Sequence, residues 1–143
     1  DSGKLGIAAI GVGLAQGAYE MALNYAKNRK QFGKSISNFQ AISFKLADMH
    51  MKIELTRNML YKACWLRDNN QHFSIEAAMI KLYSSEIAKE VADEALQIHG
   101  GYGLIKEYPI ERFYRDQRML QVGEGTSEIQ RLIISKYIGC YKK

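Results

Sequence analysis

The sequence predicts an all-α protein, an up-and-down antiparallel helical bundle, and three observations carry that expectation. One proline stands among 143 residues, too few breakers for a chain of many turns and linkers. Apolar residues recur at three- and four-residue steps through several long stretches, the period of a helix face turned to a core. The balance of 47% hydrophobic to 24% charged residues is that of an ordinary globular domain, and a chain of this length buries a core without disulfide or metal staples. A single compact domain follows, with no internal repeat or low-complexity segment.

The first helix is expected over about residues 4–27, with Ile7, Ile10, Leu14, Gly17, Met21 and Tyr25 on one face. Gly6, Gly11, Gly13 and Gly17 each weaken a helix by up to ~1 kcal/mol relative to alanine. Something must therefore approach that face closely, either a neighbouring helix or a ligand. The uncharged run at residues 5–19 is shorter than the ~20 apolar residues of a membrane span, so it reads as a buried helix. Residues 28–40, "NRKQFGKSISNFQ", interrupt the pattern, and Ser37 and Gln40 stand at the spacing of a capping box. A second helix then runs to about residue 67 on a seam of Phe39, Ile42, Leu46, Met49, Ile53, Thr56, Leu60 and Ala63. The polar "RDNNQHF" ends it.

Ser74 can cap a third helix, with Glu76 near the positive end of its dipole and Ile80, Tyr83, Ile87, Val91, Ala95 and Ile98 as its inner stripe. His99, Gly100 and Gly101 stop that helix. Pro109 leads a short fourth helix through "IERFYRDQRM", since its missing N–H costs nothing in a first turn. A fifth is expected over residues 127–138, closed by Gly139.

The formal charge of +5 is spread among interspersed acids, which argues against nucleic acid and suits an anionic cofactor or a phosphorylated substrate. Cys64 and Cys140 lie in apolar surroundings without metal-ligand spacing and are expected as buried, reduced thiols of an intracellular protein. His50, His72 and His99 are far apart and read as structural histidines, with no metal site. "GVGLAQG" does not fulfil GxGxxG and follows no strand, so it is no dinucleotide loop.

Three stretches are candidates for chemistry. "NRKQFG" and "QIHGGYG" join cations or glycines to the end of a long helix, where turn N–H groups can cradle phosphate and the fork of Arg29 can grip it. Equally, Gly100 and Gly101 can be a helix cap, and Arg29 and Lys30 can be charges that suit a helix C-terminus. In "VGEGTSE" the carboxylate of Glu124 sits between two glycines that let backbone and substrate approach it, the setting of a base. The positive end of the next helix stabilises its anion, whereas an apolar pocket favours the acid. A helix-leading acid is the alternative that spacing leaves open.

Together, "DSGKLGIAA", "AKNRKQFGKSISNFQAISFKLADM", "ALQIHGGYGLIKEYPIERFYRD" and "VGEGTSEIQRLII" stand in the order and at the separations typical of the carboxy-terminal helical domain of acyl-CoA dehydrogenases. The chain resembles that domain over residues 1–143. The resemblance implies a fragment lacking the family's amino-terminal helical and middle β domains, consistent with an opening on "DSGKLG" without methionine. It implies a flavoprotein oxidoreductase of fatty acid metabolism that uses FAD to convert an acyl-CoA of short or medium chain to the trans-2-enoyl-CoA, in the manner of butyryl-CoA dehydrogenase. Glu124 would be the base for the α proton.

By the same resemblance Arg29, Lys30, Gln31, Phe39 and Gln40 would contact the FAD of a neighbouring subunit, and Gln97, Ile98, His99, Gly100 and Gly101 would act similarly. Thr126, Ser127 and Glu128 would touch the flavin nucleotide and Gly125 the substrate. Asp1, Ser2, Gly3 and Lys4 would be the CoA-contacting entry to the first helix. Lys4 stands where arginine is usual and lacks its planar fork, and Gly123 stands where an aromatic residue is common. Glu20 offers a base on the first helix, late in that helix, and Glu124 is preferred. The implied partners are an acyl-CoA, an electron-transferring flavoprotein and further copies of the chain, as a homodimer or homotetramer. The implied compartment is the mitochondrial matrix or the bacterial cytoplasm. Two other readings stay open: a non-catalytic oligomerisation module, and an acyl-CoA oxidase that uses oxygen.

Overall fold

A computed structural model describes residues 1–141. Five α-helices form the bundle: α1 (Ser2–Asn28), α2 (Gln40–Asp68), α3 (Ser74–His99), α4 (Ile110–Asp116) and α5 (Ser127–Tyr137). Short 3-10 turns at Ile36–Asn38, Gly100–Leu104 and Gln117–Gln121 join them. The all-α expectation holds. α3 is the central member and packs against each of the other four helices, most extensively along α1.

The core explains why α3 is central. Ala77, Ala78, Ser84, Ser85, Ala88, Ala92 and Ala95 are buried on it beside the larger Ile80, Ile87, Val91 and Ile98. Small residues let neighbouring backbones approach. Of the expected inner stripe only Tyr83 lies outside, 43% exposed. On α2 the expected seam is observed from Leu46 onward, with Leu46, Met49, Ile53, Thr56, Leu60 and Ala63 all buried, whereas Ile42 and the N-cap Phe39 are half-buried. Lys45 pairs with Glu94 and Lys52 with Glu90, lacing α2 to α3 with partly exposed ion pairs worth up to about 1 kcal/mol each.

On α1 the buried face differs from the expected one. Leu5, Ala8, Gly11, Val12, Ala15, Ala18, Ala22 and Ala26 face the core, whereas Ile10 is 50% exposed. Close packing selects the small residues and leaves the bulkier face at the flank. The predicted close approach is real: a Cβ on Gly11 would lie 3.1 Å from the Ser84 carbonyl oxygen, and one on Gly17 would lie 2.7 Å from the Phe113 ring. Gly6 and Gly13 face open space. Among the described residues α1 is also the one helix long and apolar enough to cross a membrane, but its small-residue face is core.

Two caps were misplaced by spacing, and a third was not anticipated. Ser37 lies in the 3-10 turn before α2, and the N-cap Phe39 offers no side-chain bond, so no capping box forms with Gln40. Ser74 is the first residue of α3 rather than its cap, and its hydroxyl donates to the Asp1 carboxylate. Thr126 is the true side-chain cap, its Oγ1 accepting from the Ile129 amide at 3.4 Å. Gly100, with φ of 58°, ends α3, and Pro109 precedes α4 as expected.

A small hairpin was not anticipated. β1 (Lys30–Gln31) pairs antiparallel with β2 (Lys34–Ser35), turning through Phe32 and Gly33 at φ of 52° and 79°. Two consecutive positive φ values match the twist of a tight hairpin. Cys140 is exposed and Cys64 half-buried, so the expected pair of buried thiols is not observed. His50 and His72 are exposed too, leaving His99 as the buried structural histidine.

Candidate active site

The turn between the Gln117–Gln121 stretch and α5 carries Glu124. Glu124 and Gly125 both have positive φ, 56° and 95°, after which Thr126 extends and caps α5. A non-glycine residue in this region costs about 1–3 kcal/mol and persists only where its surroundings hold it. Two fully buried side chains do so. Lys81 Nζ on α3 donates to the Gly125 carbonyl at 2.5 Å, and Gln130 Nε2 on α5 donates to the carbonyls of Glu124 and Gly125 at 3.2 Å each. Gly125 is required twice over, by its φ and because a Cβ would lie 2.8 Å from Gln130 Nε2.

The Glu124 side chain is exposed and reaches the first turn of α1, where its carboxylate lies against Gly3. A Cβ at Gly3 would stand 2.7 Å from Glu124 Cδ. The fold thus brings the candidate base onto the segment of Asp1, Ser2, Gly3 and Lys4, at the positive end of a long helix. Lys4 Nζ pairs with Asp1 Oδ1 at 2.8 Å. At Gly123 a Cβ would meet Met119 and Ile7 at ordinary contact distances of 3.4 and 3.7 Å, so this position has room for a side chain. Burial pulls the Lys81 pKa down, and the negative charges of Glu124 and then Glu128 oppose that pull. Glu20 lies elsewhere on α1, exposed and hydrogen-bonded by Gln16 at 2.6 Å.

Beside the turn, Thr126, Ser127 and Glu128 line a cavity of about 310 Å³ with Arg118 and Arg131. The Ser127 hydroxyl is buried there without a partner. The Glu128 carboxyl is held below its usual range by its own backbone N–H, then by the Thr126 hydroxyl and by Arg131 and Arg118.

A larger cavity, about 550 Å³, opens at the other end of α3. It brings Arg29 and Gln31 together with Ile98, His99, Gly100 and Gly101, joining two motifs far apart in sequence. The Arg29 guanidinium lies 5.5 Å from the Tyr102 ring centre and has no carboxylate partner among the described residues. His99 Nδ1 is 2.7 Å from the Ala95 carbonyl, and the ring stacks on Tyr25 at 4.4 Å. Burial lowers its pKa, so the neutral imidazole donates from Nδ1 and keeps Nε2 as an acceptor.

Four predicted cofactor contacts do not line this cavity. Lys30 is exposed on β1, Gln40 is exposed at the start of α2, and Gln97 is exposed on α3. Phe39 packs edge-on to Phe32 at 6.2 Å, with the Lys34 ammonium 4.4 Å from its ring centre. The aromatic walls Tyr25 and Tyr102, and the buried pair Lys81 and Gln130, were missed from sequence. Lys81 had a signal, since it falls on the same helical face as Ala77, Ser84 and Ala88. From Glu86, which lines the smaller cavity, to His99, which lines the larger, the helical rise amounts to about 20 Å, so the two cavities are set well apart along α3.

Comparison with known proteins places this geometry in context. The family model described as acyl-CoA dehydrogenase, C-terminal domain, matches residues 1–139. Probable acyl-CoA dehydrogenase YngJ of Bacillus subtilis is 55% identical over 96% of this chain and 36% of its own length. The caffeyl-CoA reductase-Etf complex subunit CarC of Acetobacterium woodii is 52% identical over 94% of this chain and 36% of its own. The solved structure of butyryl-CoA dehydrogenase from Megasphaera elsdenii superposes with a TM-score of 0.94 at 44% identity, covering 95% of this chain and 36% of that one. The chain therefore spans about a third of the proteins it matches.

Proposed function

Because the chain belongs to the acyl-CoA dehydrogenase family, as its C-terminal domain, we propose that it is part of a longer FAD-dependent enzyme that oxidises a short-chain acyl-CoA to the trans-2-enoyl-CoA. In this reading an amino-terminal helical domain and a middle β domain complete the enzyme. Glu124 takes the α proton. The observation that carries the reading is the Glu124 carboxylate, held by a strained turn against Gly3 at the opening of α1.

A carboxylate is a weak base for a proton α to a thioester, so the developing enolate needs hydrogen-bond donors aimed at the carbonyl. A turn that exposes backbone N–H groups beside the base is a natural source of one. Gly3 keeps the α1 side of the carboxylate free of a Cβ atom, and an apolar acyl chain would exclude water from it. Asp1 to Lys4 would meet the CoA portion.

The residues present fit FAD in two sets. Arg29, with no carboxylate partner among the described residues, and the turn amides of the glycines after His99 border a cavity walled by aromatics, a site suited to a nucleotide pyrophosphate, while His99 Nε2 can accept from a nucleotide hydroxyl. Thr126, Ser127 and Glu128 add polar groups, one an unpartnered hydroxyl, beside the base. Since the sets lie about 20 Å apart along α3, each would serve a different FAD, so that a site is completed by a second subunit. Exposed Phe44, Met51, Leu55 and Trp65 on α2 support such an oligomer. When bound, FAD supplies the acceptor for the β hydride. The kinship with a subunit of an Etf complex supports an electron-transferring flavoprotein as the onward acceptor, and an intracellular enzyme as the setting.

The test is anaerobic addition of butyryl-CoA to the full-length flavoprotein. The flavin absorbance should bleach, and Glu124→Gln should slow bleaching by about 10²–10⁴-fold, the usual contribution of a positioned general base. Undiminished bleaching in that variant would remove Glu124 from the mechanism.

A further inference from the structure

We propose that Lys81 is a positioning residue for this base: with Gln130 it grips the carbonyls of Glu124 and Gly125, fixing where the carboxylate stands. The inference rests on the reading of Glu124 as the α-proton base.

The geometry distinguishes Lys81 from an ordinary buried lysine. It is wholly buried on α3, makes no ion pair within hydrogen-bonding reach among the described residues, and spends its 2.5 Å bond on a backbone carbonyl in the turn. A charge so placed is costly. Helix α3 could be packed more cheaply by an apolar side chain, so the cost is offset by something at the turn. Gly125, at φ of 95°, and Glu124, at 56°, are the residues that need holding. Gln130 shares the work through both carbonyls, and its own Oε1 is buried without a partner.

The surrounding charges single Lys81 out further. On α1, Lys4 is paired with Asp1, and on α5, Arg131 is paired with Glu86 of α3. Arg118 is exposed and hydrogen-bonds Gln121. Glu128, also at the turn, is the one other carboxylate that acts on Lys81.

The experiment measures anaerobic flavin reduction against butyryl-CoA concentration in the full-length flavoprotein carrying Lys81→Met, Lys81→Gln or Lys81→Arg. Lys81→Met should retain FAD and bind butyryl-CoA normally, yet lower the limiting reduction rate by about 10²-fold, the cost of a misplaced reacting group. Lys81→Gln keeps a donor and should lose less rate, while Lys81→Arg should restore it. A wild-type limiting rate in Lys81→Met would overturn the proposal. So would equal rate losses in the Met and Arg variants, the mark of packing alone. If Lys81→Met does not fold, a wild-type limiting rate in Lys81→Gln overturns it. Glu124→Gln in parallel separates the two readings: if it reduces normally the base assignment fails, whereas a dead Glu124→Gln beside normal Lys81 variants condemns only the role of Lys81.

Discussion

Glu124 stands in a left-handed backbone conformation that its neighbours must hold, and Gly3 gives its carboxylate a place to lie. Adding one methyl group tests this. In Gly3→Ala the new Cβ would overlap the carboxylate, which can swing away because it ends a flexible side chain. Stability should change by less than about 1 kcal/mol, within the range of exposed substitutions, while flavin reduction falls by about tenfold or more from displacement of the base. Denaturation midpoints and reduction rates of the full-length variant check both halves. The candidate base was legible as a carboxylate between glycines, but its choice over a helix-leading acid needed the surrounding motifs. Lys81 was not legible in the same way, because a lysine on an inner face looks like a misfit until the carbonyl it serves is seen across the fold.

At the scale of elements, the glycines of α1 divide into two kinds. Gly11 faces the Ser84 backbone, which cannot yield easily, whereas Gly13 faces open space. Gly13→Ala should therefore stabilise the protein by about 0.5–1 kcal/mol through helix propensity. Gly11→Ala should lose that gain to overpacking and end about 1–2 kcal/mol less stable. Chemical denaturation of the two variants decides whether the sign differs. The helices themselves were readable because a 3.6-residue period persists over many turns, as in the α2 seam. The face of α1 was not, since apolar size marks the core only where there is room for it, and here closeness to α3 selects alanine instead. Two-residue strands carry no period at all, so the hairpin at Phe32 and Gly33 left only a glycine as its trace.

For the whole molecule, two predictions concern groups set apart along α3. The first concerns pH. His99 has a folded pKa below its ordinary value of 6.5 because burial disfavours the imidazolium. The unfolded chain then binds more protons than the folded one across that window, so stability is fully present above pH 6.5 and falls as pH drops through the folded value. His99→Gln should flatten this decline in urea midpoints measured between about pH 5 and 7. The second concerns subunits. If each FAD spans two copies, a subunit carrying Arg29→Ala and one carrying Glu124→Gln should each be inactive alone. Mixed oligomers should regain activity, because one of the two sites then receives both intact groups. Failure of mixing to restore any turnover would place both sets on the same FAD.

That one helix carries Lys81 in its first half and His99 at its end also governs how the molecule comes apart. Amide exchange of α3 should be the slowest in the chain, as expected of the element buried on most of its surface. A fluctuation that frees α3 would release the base turn and open the aromatic cavity in one event. A ligand seated at either end would then protect amides at the other, with no path of side chains needed between them.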